Sequence, residues 1–161
     1  MAFDAFIKID GIEGESTDSK HSGWIEVTRC DMEINQTVSE TASSAGGAGT
    51  GKADFSDFSF SKLLDRASPK LALSCAAGTH FDKIVVEICR AGTEKIKFME
   101  IKMTDSFISH ISLSADGGFP YETIAINYGK IVWTYVVQNR QGGGMAGNVM
   151  AGWDRRKNCK V

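Results

Sequence analysis

The sequence predicts a mainly β protein, a sandwich or a barrel, with one short α-helix and one long glycine-rich loop. Three observations carry this. Apolar and polar residues alternate in segment after segment, the period of strands with one face buried. Clusters of Gly, Asp and Ser punctuate those segments at short intervals, as in "GIEGESTDSK", "RAGTEK", "SADGGFP" and "NRQGGG". Only one stretch has helical spacing.

The elements follow in order. "AFDAFIKID" sets Phe3, Ala5, Ile7 and Ile9 on one face, and "WIEV" continues with Ile25 and Val27. In "TRCDMEINQTV", Cys30, Met32, Ile34 and Val38 share one face and Asp31, Glu33, Asn35 and Thr37 the other, which predicts a half-buried strand. "FSDFSF" alternates Phe58 and Phe60 with serine, and "KIVVEICR" aligns Ile84, Val86 and Ile88. "KIKFMEIKM", "SFISHISLS", "ETIAINY" and "KIVWTYVV" read as further short strands. The exception is "DRASPKLALSCAAGTHF". There Ser68 is a candidate N-cap, Pro69 a first helical residue, and Gly78 a C-terminal stop. Leu71, Ala72, Cys75 and Ala76 recur at helical spacing, so this stripe must lie on a sheet or plug a barrel end.

Size and composition bound the function. The chain has 161 residues, 42% hydrophobic and 24% charged, enough for a real core and typical of a soluble domain. We expect one domain over residues 1–161, since no repeat or linker divides it. The formal net charge of −2 lacks the basic excess of a nucleic-acid binder, and the only cationic cluster is Arg155, Arg156 and Lys157. No apolar run approaches a membrane span, so no membrane insertion is expected. "MAFDAFIKID" has no basic region ahead of its apolar residues and is not a secretory signal, which by the ordinary rule leaves the chain in the cytosol.

Cys30, Cys75, Cys89 and Cys159 form no C-x-x-C pair, and three of them sit in apolar patterns where cysteine acts as a small hydrophobe. His21, His80 and His110 are scattered and read as turn or surface residues rather than ligands. No metal, cofactor or catalytic constellation is therefore expected. Asp82, Glu87 and Glu100 read as solvated strand residues, since nothing in their spacing favours an acid–base pair.

One motif needs refuting. Gly46 to Lys52, "GGAGTGK", fits the phosphate-binding G-x-x-x-x-G-K up to its last position. That motif requires a buried strand before it, a helix after it, and a Ser or Thr behind the lysine for Mg²⁺. Here Ala53 replaces the hydroxyl, "QTVSETASSA" precedes and the strand-like "ADFSDFSF" follows. The residues reject a nucleotide. What remains, Ser39 to Lys52, is a long loop whose glycines supply backbone freedom, and long loops in compact domains usually have work to do.

Taken together, these stretches resemble the Hcp family, the tube proteins of bacterial type VI secretion systems. The resemblance rests on Ile7 to Ile9, on the G-E-S of Gly14 to Ser16, and on Asp18, His21, Ile25 and Val27. It continues through the glycine-rich loop and "FSFSKLLDRASPKLALSCAAGTHF", and ends on Gly152, Trp153 and Asn158, covering essentially the whole chain. The resemblance implies a β-barrel of two antiparallel sheets with one short flanking α-helix and a long extended loop. It further implies hexameric rings that stack into a tube inside a contractile sheath. The tube is tipped by a VgrG-type spike protein and expelled from the cell without a signal peptide, with secreted effectors held and chaperoned in the lumen. On this analogy Asp31 and Glu33 face the channel, and the loop residues Ser44, Gly46, Gly47, Gly49, Gly51 and Lys52 reach the neighbouring ring. The strands alone also allow a phage-type tail-tube protein, separated only by the family pattern. They allow a small barrel enclosing a ligand too, against which the many large apolar residues argue.

Overall fold

In the computed structural model, which describes residues 2–38, 49–139 and 145–161, the alternating segments form two antiparallel sheets. In chain order the elements are β1 (Phe3–Ile9), β2 (Ile25–Val27), β3 (Arg29–Asp31), β4 (Ile34–Asn35), β5 (Asp54–Phe55) and β6 (Phe58–Leu63). Then come α1 (Ser68–Ala77), β7 (His80–Arg90), β8 (Lys97–Ser114), β9 (Tyr121–Gln138), β10 (Met145–Asp154) and β11 (Cys159–Lys160). Nine strands share one sheet, in the order β11-β10-β9-β8-β7-β1-β2, with β6 joining β9 to β3.

That order makes the wall curl back on itself. The first half of β9 pairs with β6 on the side where its second half pairs with β10. β6 carries β3, and β3 continues β2 across Thr28, whose N–H donates to the Ser61 carbonyl at 2.9 Å. β2 pairs β1, β1 pairs β7 and β7 pairs β8, so the ladder returns to β9 as a barrel. Inside, Ile7, Phe58, Phe60, Ile84, Val86, Met103, Ile124, Ile126, Tyr128 and Ile131 are each 1% exposed or less. The mainly β expectation holds, and the interior is packed with side chains.

Three expectations need correction. The four short strands of the second half are two continuous strands, β8 and β9, of 18 residues each. Asp105 and Gly129 join the halves: Asp105 has a φ of 55°, and a Cβ on Gly129 would lie 2.7 Å from the Asp105 carboxylate. The missing side chain lets both strands bend at one level instead of breaking. Second, "TRCDMEINQTV" is not one half-buried strand. β3 and β4 are separate, and Ile34 and Val38 are 47% and 57% exposed because β4 leaves the wall to pair only with β5.

Third, Ser68 is not the N-cap. Ala67 holds that place with no side-chain cap, Ser68 opens the helix and Pro69 follows it. Gly78 does end α1, in the left-handed conformation at φ 63°. The helix buries Ser68, Leu71 and Ser74 and leaves Ala72 and Ala76 exposed, because the packed face runs at i, i+3 and i+6 from its first residue.

Ser68 is spent on a different task. Its hydroxyl donates to Glu122 at 2.7 Å and accepts from Lys62 Nζ at 3.0 Å. Lys62 is fully buried and also meets Asp65 at 2.7 Å, Glu122 at 2.9 Å and the Leu63 carbonyl at 3.1 Å. A buried ammonium is tolerable only with such a complete set of partners. The cluster ties β6, the start of α1 and β9 together.

Candidate functional site

The sequence-predicted positions that the structure describes lie on an arm and at its root. Residues 34–38 and 49–55 run antiparallel: Ile34 pairs with Phe55, Asn35 with Asp54, and Val38 bridges Thr50. Gly51 N–H donates to the Thr37 carbonyl at 3.1 Å, and Gly49, Gly51 and Lys52 are exposed. Ser44, Gly46 and Gly47 lie outside the described residues. The segment after Lys52 is strand and not helix, as the rejection of a phosphate loop requires.

The root is held by residues that sequence reasoning left as a plain cationic cluster. The Arg155 guanidinium stacks over Phe55 and Tyr128, at 5.7 and 4.9 Å from the ring centres, and donates to the Tyr128 carbonyl at 2.8 Å. The Tyr128 hydroxyl donates to the Ser56 carbonyl at 2.9 Å, and burial pushes its pKa up to about 12. Arg156 pairs with Asp105 at 2.8 Å, and His80 meets the other oxygen of that carboxylate at 2.6 Å. Beside this root a groove of about 780 Å³ runs between Ile34 and Gly51 of the arm and Trp133, Met150, Trp153 and Val161 of the wall.

Asp31 and Glu33 are both exposed, on the stretch between the barrel and the arm. Asp31 is held by Arg29, whose Nε and Nη2 donate to its two oxygens at 2.8 and 3.2 Å. Glu33 is fixed through its backbone: its N–H donates to Ser56 Oγ at 2.7 Å, and its carbonyl accepts from Ser56 N–H at 3.0 Å. Its side chain is left to solvent.

The G-E-S turn is organised differently. Gly14 N–H donates to the Gly23 carbonyl, and Gly23 N–H returns to that of Ser16, each at 2.8 Å. A Cβ on Gly14 would meet the Trp24 carbonyl at 2.3 Å, so this close approach requires glycine. The turn delivers His21 into the protein, 2% exposed, which corrects its reading as a surface residue. His21 lies in a turn as expected, but its ring stacks on Phe6 at 4.2 Å and meets the edge of Trp24 at 4.9 Å.

Its Nδ1 is 2.7 Å from Asp18 Oδ2 and its Nε2 is 2.7 Å from Glu87 Oε2, with Cys89 Sγ 4.0 Å from Nε2. The His21 hydrogen bond holds the Asp18 carboxyl below its usual range. His80 and His110 are exposed, as read from sequence. Glu87 and Glu100 are not the solvated pair expected, for they stand opposite one another across β7 and β8 and share Lys97, at 3.1 and 2.6 Å. Asp82 alone of the three is fully exposed. The signal that could have found the His21 cluster is the spacing of Glu87 and Cys89, two apart on one strand face.

The chain is a filled barrel with a two-stranded arm and an exposed apolar groove beside it, and comparison with known proteins names the class. The family described as "Type VI secretion system effector, Hcp" matches residues 6–135. The chain is 32% identical over 164 residues to the protein hcp1 of Pseudomonas aeruginosa, covering 100% of both. A solved structure of a type six secretion system protein superposes with a TM-score of 0.92 at 36% identity, covering 99% of this chain and 100% of the other. Hcp1 from Salmonella typhimurium does so at 0.81 and 31%, covering 100% of both. This chain belongs to the Hcp family of type VI secretion tube proteins. Among the described residues no helix is long and apolar enough to cross a membrane.

Proposed function

We propose that this chain is the tube subunit of a type VI secretion system: a single domain over residues 1–161 that assembles into hexameric rings, which stack into a tube expelled from the cell. The observation that carries the reading is the whole-chain likeness to type VI secretion proteins, at a TM-score of 0.92. The surface supports it. One apolar groove lies under β10 and β11, with Met150 70% and Val161 59% exposed. A second groove, of mixed character and about 530 Å³, lies at the other end of the strand path, where Phe3 on β1, Leu63, Leu64 and Phe119 stand among Asp4, Glu15, Glu26, Asp65 and Lys95. Unlike grooves at the two ends suit a head-to-tail contact, the kind that closes a ring.

In this role the arm, including Ser44, Gly46, Gly47, Gly49, Gly51 and Lys52, contacts the next ring. Asp31 and Glu33 face the lumen and the effectors carried there. The tube works with a spike protein and a contractile sheath, is exported from the bacterial cytoplasm, and carries out no catalysis. Light scattering and electron microscopy of the purified protein test the assembly. The expected result is rings of about six times the 17.4 kDa monomer mass, and a clean monomer at high concentration overturns it. Deleting residues 43–51 should leave rings intact and weaken stacking; unchanged stacking overturns the role of the arm.

A further inference from the structure

We propose that His21, Glu87 and Cys89 form a binding site for a zinc-class divalent cation, with Asp18 holding the histidine in its metal-binding tautomer. His21 Nε2, a Glu87 oxygen and Cys89 Sγ all lie within 4.8 Å of one another. They come from two elements that the barrel brings together, the turn after β1 and one face of β7. On its other side the ring meets Asp18 Oδ2 at 2.7 Å. A carboxylate on Nδ1 that fixes the ring and leaves the Nε2 lone pair facing inward is the recurring partner of a metal-bound histidine.

The arrangement calls for a cation at Nε2. A neutral imidazole donates through one nitrogen only, yet both nitrogens of His21 face carboxylates at 2.7 Å. Either a second proton or a metal ion satisfies the Glu87 side. The other contacts of the cluster leave its donor atoms to the metal. Lys97 engages Glu87 Oε1 at 3.1 Å and leaves Oε2 free for it. Cys89, fully buried, has no other polar neighbour among the hydrogen bonds of the described residues.

Tetrahedral zinc bonds of roughly 2.0–2.3 Å place neighbouring ligand atoms about 3.3–3.6 Å apart. Nε2 and Oε2, at 2.7 Å, would open slightly and Nε2 and Sγ, at 4.0 Å, would close slightly. Both moves lie within a small rotation of the Glu87 and Cys89 side chains. Nitrogen, sulfur and one carboxylate oxygen select zinc-like ions over Mg²⁺ and Ca²⁺, which take oxygen sets. Binding releases the thiol proton of Cys89 and the proton on Nε2 to solvent, and a water completes the set. The route in passes Glu87, whose side chain is 16% exposed against 3% for His21. Such an ion would clamp the G-E-S turn to β7, a structural role separate from ring assembly.

The test uses the purified, reduced full chain stripped by chelator. Zn²⁺ titration by calorimetry should show one equivalent, and Cd²⁺ should produce an ultraviolet sulfur-to-metal charge-transfer band. A variant with Cys30, Cys75 and Cys159 all changed to Ser should keep the band. Cys89→Ser, which leaves the Asp18–His21–Glu87 bonds in place, should lose it and weaken Zn²⁺ at least about 10-fold. Asp18→Asn should weaken it roughly 10–100-fold. Absence of binding by the parent chain overturns the site, as does a band or affinity that survives Cys89→Ser in a variant whose melting in chelator matches the parent. Ring formation is not read in this experiment, so its outcome is independent of the assembly test.

Discussion

The G-E-S turn with β7 and the arm with β10 differ in how far one copy of the chain covers them. β7 is paired along most of its length, by β1 on one side and β8 on the other. Ile84, Val86 and Cys89 are fully buried, and even His21 beside them is covered. β4 and β5 share two residue pairs with each other and none with the wall. Ile34 and Val38 on the arm, and Val149 and Met150 on β10, are 47–70% exposed. The first region completes its contacts within one copy. The second presents apolar surface that one copy does not cover, as the proposed assembly requires.

Ways to break this contrast run from large effects to small. Lys62→Ala should cost about 3–5 kcal/mol, because it leaves Glu122 and Asp65 without their buried counter-charge; urea unfolding measures it, and a loss under 1 kcal/mol would show that the cluster holds nothing together. Next is the root of the arm. Tyr128 has a folded-state pKa of about 12, above the ordinary tyrosine value near 10. The folded state therefore holds the phenol proton more tightly than the unfolded chain. Its contribution is full below pH ~10 and fades as the pH rises to ~12, by up to about 2–3 kcal/mol. Tyr128→Phe should flatten that part of the stability–pH curve, and an unchanged slope would remove Tyr128 as its cause.

Gly129→Ala should cost about 1–3 kcal/mol, since the new Cβ meets Asp105 at 2.7 Å where β8 and β9 bend. Thermal melting reports it, and Asp105→Gly in the same chain should recover part of the loss. The smallest effects on stability belong to the outer face. Ile34→Ser and Met150→Ser should each change unfolding free energy by less than about 0.5 kcal/mol yet reduce the ring fraction in light scattering. Rings unaffected by both would mean that this groove is not a contact.

Much of this was legible beforehand. Phe3 to Ile9, Ile25 to Val27 and Phe58 to Phe60 are strands as their alternation requires, and Gly78 ends the one helix. That strand and not helix follows Lys52 was legible in "ADFSDFSF". His21 was not, because a histidine among serines, lysine and glycine carries no local sign of burial. Phe6, Trp24 and Glu87, which enclose it, include a residue 66 positions away. Nor was the root of the arm, where Arg155 reaches back to Phe55 from the far end of the chain.

By itself, then, the sequence determined most of the strands up to β9, where the helix stops and which family pattern they follow. β10, in a glycine-rich stretch without alternation, and β11 were not legible. The legible features depend on period, turn chemistry and residues near one another along the chain. Only the tertiary structure decided which alternating faces are covered, how short segments merge into two long strands, and which charges end up enclosed. Those outcomes depend on what packs across the barrel, and the pairing of β6 with β9 and of β1 with β7 joins residues that no local pattern relates.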